Sequence, residues 1–119
     1  MFNISTAVTE PQKFRVDGET EYEMYSMDHL TPEQEADVVA TLSRFFSLSE
    51  ELGMAGSKEK AKPIAEKIRT TRILLLSKLT NVPRAELEKW PLSAQAELLE
   101  AVQQNIDKVE EDTEATDES

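Results

Sequence analysis

Four consecutive residues, Ile73-Leu74-Leu75-Leu76, constrain the fold of this chain more than any other stretch. Successive positions on an α-helix are about 100° apart, so four apolar residues in a row leave no side of that turn polar, and something must cover it all the way round. At 119 residues there is room for one domain with one core and for no second independent unit. The cover is therefore either the chain's other helices or a neighbouring subunit, and the residues leave both open. Reckoned from the sequence, this helix carries more apolar surface than a lone copy can hide, so self-association is expected. Lys67, Arg69 and Arg72 flank the apolar turn, where rim charges choose partners more than they add affinity. Arg69, Arg72, Leu74 and Leu76 are the candidate contact residues.

The segment holding that turn is read as a long helix from Lys58 or later to about Leu79, with Ile64, Ile68, Leu75 and Leu79 setting its face. Pro63 either marks its true first turn or kinks it. An earlier long helix starts at Thr31-Pro32-Glu33-Gln34, where Thr31 is the N-cap, Pro32 suits the first helical position and Gln34 completes a capping box. Val38, Leu42, Phe45, Phe46, Leu48 and Leu52 form its apolar stripe, and Gly53 ends it. A short helix follows Asn81-Val82-Pro83, from Arg84 to about Lys89, and Trp90-Pro91 stops it. Ser93 is the expected N-cap of a last helix whose stripe is Leu92, Ala96, Leu99, Val102, Ile106 and Val109.

Ahead of the helices, apolar and charged residues alternate on both sides of Asp17-Gly18, which is a hairpin signal. A two-residue loop would set Val16 against Glu19 and Phe14 against Glu21, mixing apolar and acidic side chains on one face. A longer connection that pairs Val16 with Tyr22 and Phe14 with Met24 keeps one face apolar and is preferred. Because a lone two-stranded hairpin is marginal in water, this one either lies on the helices or gains strands from another copy. The expected architecture is mainly α: a small helical bundle of two long helices, one short helix and a C-terminal helix, with an N-terminal β-hairpin. Residues 1–12 are expected to be a flexible arm, 13–109 a single helical domain, and 110–119 a disordered acidic tail.

Charge and inventory narrow the function. Of a net charge of -11, six charges fall in Glu110, Glu111, Asp112, Glu114, Asp117 and Glu118, which leaves about -5 on residues 1–109. The phosphate backbone would be repelled, so no nucleic-acid partner is expected. One basic stretch runs from Lys58 to Arg72, net +4, and an acidic first helix opposes it in sign. Two signs on different surfaces suit head-to-tail contacts that propagate. The chain has no cysteine and His29 is its sole histidine, so neither a disulfide scaffold nor the usual zinc site can be assembled, and no triad pattern is present. Gly18, Gly53 and Gly56 are isolated, which leaves no phosphate cradle. The expectation is a non-enzymatic protein without cofactor or metal. No apolar run approaches a membrane span, and the first residues lack the basic and long apolar parts of a signal peptide, so a cytoplasmic protein is expected.

Residues Phe14 to Ile106 resemble the bacteriophage tail assembly chaperones of long, noncontractile-tailed phages. The resemblance lies in the Val16-Asp17-Gly18-Glu19 turn with Tyr22-Glu23-Met24, the helix after Leu30-Thr31, and above all the run Leu75-Leu76-Ser77-Lys78-Leu79-Thr80-Asn81-Val82-Pro83. Leu87, Trp90, Pro91-Leu92-Ser93 and Leu98-Leu99 continue it. It implies a helical protein of the host cytoplasm that associates with itself into rings or spirals and coats the tape-measure protein before the tail tube polymerises. It also implies a longer frameshifted form that recruits the tail tube protein, and no cofactor. The residues leave two other readings: an acidic inhibitor that mimics nucleic acid, and a helical adaptor of another complex.

Overall fold

A computed structural model of the chain describes residues 2–118, with side chains through Ile106. It is mainly helical. Strands β1 (Gln12–Val16) and β2 (Thr20–Met24) form an antiparallel hairpin, followed by a 3-10 turn at Met27–His29. Four helices complete it: α1 (Pro32–Gly53), α2 (Lys58–Leu79), α3 (Arg84–Lys89) and α4 (Leu92–Glu118). Residues 2–11 carry no regular structure. The expected acidic tail, 110–119, falls where side chains lie outside the described residues.

The hairpin register differs from the expected one by two residues. Val16 faces Thr20, Phe14 faces Tyr22 and Gln12 faces Met24. The cause is the turn: Asp17 and Gly18 both take positive φ, 55° and 70°, and the Glu19 amide donates to the Val16 carbonyl at 3.1 Å. A chain reversed that tightly brings Thr20 and Glu21 into the ladder instead of leaving their backbone groups unpaired. Because the shift is an even number, the faces are as expected. Phe14 and Tyr22 share the inner face with ring centroids 6.0 Å apart, and outside Glu21 lies 3.5 Å from Lys13 and 3.9 Å from Arg15.

The outer edge of β2 is tied to the connection after α2. Tyr25 N–H donates to the Leu79 carbonyl (2.8 Å), Asn81 N–H to the Glu23 carbonyl (3.1 Å), and Glu23 N–H to Asn81 Oδ1 (2.6 Å). This draws Met24 into the core, so the hairpin lies on the helices.

Helix α1 begins as the sequence predicts, with the Gln34 amide donating to Thr31 Oγ1 (3.2 Å) and the Thr31 amide to Gln34 Oε1 (2.9 Å). Val38, Thr41 and Leu48 face inward, whereas Phe46, expected in the inward stripe, is 51% exposed. Helix α2 runs antiparallel to α1, since the Asp37 carboxylate near the start of α1 pairs with Lys78 near the end of α2. The α2 cap is Ser57, whose Oγ accepts the Lys60 amide at 3.2 Å, which puts Pro63 inside the helix rather than in its first turn. Helix α4 corrects a second expectation. Ser93 is not the cap, because the Pro91 carbonyl receives the Ala94 (3.1 Å) and Gln95 (3.2 Å) amides and Leu92 is already helical. Of the expected stripe, Leu99, Val102 and Ile106 pack on the core, joined by Gln95 and Leu98, while Leu92 and Ala96 lie in solvent.

Candidate functional site

The apolar turn of α2 is covered by its own chain, which corrects the expectation that a lone copy could not hide it. Ile73, Leu75, Leu76 and Leu79 are buried, Leu76 at 0% exposure, and Leu74 is half-buried. Met24 from β2, Val38 from α1, Leu87 from α3, and Leu98, Leu99 and Val102 from α4 join them in one cluster. Each of those elements supplies one or a few residues, and their convergence on this turn has no local sequence signature.

The four candidate contact residues are accordingly separated. Leu76 is core. Arg72 is 8% exposed and its Nε–H donates to Gln95 Oε1 at 3.0 Å. Gln95, fully buried, in turn donates through Nε2 to the carbonyls of Leu87 (2.9 Å) and Trp90 (3.3 Å), so Arg72 helps hold α2, α3 and α4 together. Burial, and then the neighbouring Arg69 charge, push the Arg72 pKa below its ordinary value. Arg69 is exposed, and Leu74 lies about 140° round the helix from it.

What the surface offers instead lies on α1. Val39 (49% exposed) and Phe46 (51%) are seven residues apart, on one face, with the small exposed side chains of Ala36, Ala40, Ser43 and Ser47 around them. The inward contact uses Val38, Leu42, Phe45 and Leu48, and the ring of Phe46 stands edge-on to that of Phe45 with centroids 6.0 Å apart. The sequence grouped Phe46 with the inward stripe and passed over Val39. The signal was the width of the apolar arc, broader than contact with one partner helix needs.

Two further features carry apolar residues. Phe2, Ile4 and Val8 are exposed in the N-terminal segment. A groove of about 420 Å³ between the hairpin and α4 has an apolar floor of Phe14, Met24, Trp90 and Leu98 and the charged Arg15, Asp17 and Glu97 in its lining. His29 serves structure: its Nδ1 accepts the Ser26 amide at 3.0 Å, so Nε2 carries the proton and donates to the Thr9 carbonyl. Among the described residues no three His, Cys, Asp or Glu side chains gather as a metal would need, and no helix is long and apolar enough to cross a membrane. The arrangement presents an apolar helix face, a basic helix end and a groove of mixed lining. Comparison of the chain with protein-family models, with curated proteins and with solved structures finds no match.

Proposed function

We propose that this chain is a non-enzymatic tail assembly chaperone of a long, noncontractile-tailed phage, acting in the host cytoplasm, where it associates with further copies of itself and coats the tape-measure protein. The observation that carries the reading is the exposed apolar face of α1, with Val39 and Phe46 framed by small side chains. A helical client with an apolar stripe can lay that stripe along such a face, and the small neighbours let the two backbones come close. A tape-measure protein is long, largely helical and prone to aggregate until covered, so a shallow face that repeats from copy to copy suits it better than a single deep pocket. The resemblance across Phe14 to Ile106 supports the same role. Recruitment of the tail tube protein belongs to a longer frameshifted form.

Identification of a long, helical tape-measure reading frame next to that of this chain, and co-expression of the two proteins, test the reading. The wild-type chain keeps the client in the soluble fraction and co-purifies with it. The double variant Val39→Asp/Phe46→Asp, altered only at exposed positions, keeps its circular dichroism spectrum and loses at least about 10-fold in recovered client. A wild-type chain that neither binds nor solubilises the tape-measure protein overturns the proposal.

A further inference from the structure

The first two-thirds of α2 carries an exposed basic stripe. Lys58, Lys62, Ala65 and Arg69 are spaced four, three and four residues apart, which places them on one side of the helix, flanked by Glu59 and Glu66, and that side runs on to the buried Arg72. Lys58, Lys62 and Arg69 are exposed, and among the described residues none of the three has a carboxylate within ion-pair distance. Arg69 also acts on Arg72, whose pKa falls through burial first and through this like charge second. The same spacing recurs with opposite sign in α4, where Glu110, Glu114 and Asp117 stand four and three residues apart within a segment of six acids.

Helix lengths keep the two stripes of one chain apart. Arg72 meets Gln95 across α2 and α4. From that contact Lys58 is about 21 Å away along α2, and Glu110 is about 22 Å away along α4. Helix α4 runs from that contact toward the C-terminal end of α2, because Leu98 and Ala101 line the groove with Met24, which bridges Thr80, so its acidic positions lie on the far side of the contact from Lys58.

We infer that the basic stripe Lys58-Lys62-Arg69 is a docking surface for the acidic segment 110–118 of a second copy of this chain. The pairing is heterologous, using one surface as donor and another as acceptor, so each added copy presents a fresh basic stripe and a fresh acidic segment. It rests on the self-association in the proposed function and names the surfaces that perform it. Charges at such a helix–helix seam select the partner and its direction, and salt weakens them.

Sedimentation of the full chain at about 20 mM and about 500 mM salt, with three charge variants, tests the inference. The wild type associates at low salt, and association weakens at least about 10-fold at high salt. Lys58→Glu/Lys62→Glu/Arg69→Glu and Glu110→Lys/Glu114→Lys/Asp117→Lys each sediment as monomers while keeping their circular dichroism spectra. Mixed together, or combined in one chain, the two sets of reversed charges restore assembly. A wild type that associates at low salt together with variants that associate as strongly overturns this surface and leaves the self-association reading standing. A wild type that stays monomeric at every concentration overturns both. Cross-links between Lys62 and residues 110–118 found only within single chains, in an isotope-mixed sample, also overturn the inference.

Discussion

Gln95 ties three helices together through one buried amide. Its one amide receives the Arg72 Nε–H and caps the carbonyls of Leu87 and Trp90 at the end of α3. Replacing it with Leu keeps the volume close but strands the Trp90 carbonyl and the Arg72 Nε–H, and leaves the Leu87 carbonyl with the Trp90 amide alone. A loss of about 3 kcal/mol in urea unfolding is expected for Gln95→Leu, because each stranded group retains its desolvation cost. A loss below about 1 kcal/mol would mean that the amide is not what holds the corner. Neither partner could be read this way from the sequence. Arg72 looks like a rim cation and Gln95 like one more polar helical residue, because a buried hydrogen bond across 23 residues leaves no periodic trace.

The helices and their starts were the readable part. Thr31-Pro32-Glu33-Gln34 and Trp90-Pro91 act through atoms one to four residues away, so their chemistry is local and the elements stand where such residues put them, whereas the start of α2 stayed open between Lys58 and Pro63 until the Ser57 cap placed it. Ser93 misled because Pro91, two positions earlier, already frees a carbonyl for the Ala94 and Gln95 amides, and the helix accepts the earlier start. The hairpin register depended on two consecutive positive φ angles, which Asp17-Gly18 permits without requiring. Pro63 is the one residue at odds with its element. Inside α2 it supplies no amide for the Glu59 carbonyl and its ring crowds that oxygen. Pro63→Ala should raise stability by about 1–3 kcal/mol, read as a higher midpoint in thermal unfolding. A lower midpoint would show that the course of α2 depends on the ring.

At the scale of the whole molecule, which side of an amphipathic helix meets a neighbour is a tertiary fact. The sequence marks Ile73 to Leu76 as needing cover and marks α1 as broadly apolar, yet it cannot apportion one surplus against the other. In the fold the chain buries Ile73, Leu75 and Leu76 of that turn, half-buries Leu74, and leaves Val39 and Phe46 outside. The apolar candidate surface therefore moved from α2 to α1, although every residue involved was already identifiable as apolar. Leu76→Ala should cost about 2–5 kcal/mol, a large share of the stability of a domain this small, and should be read as a core deletion in urea unfolding. If instead it weakened assembly at unchanged stability, the burial of that side chain would be refuted.

The bonds from Glu23 and Tyr25 to Leu79 and Asn81 bear on the order in which the chain acquires its structure. The α1–α2 pair closes through a connection of four residues, whereas β2 docking on its own would close 58, and once the helices are paired with Asp37 beside Lys78 that loop is already shortened. Loop entropy therefore favours pairing the helices ahead of the hairpin. Local opening follows the reverse route: the strands can peel away and reseat on the finished helices while α1 and α2 stay folded.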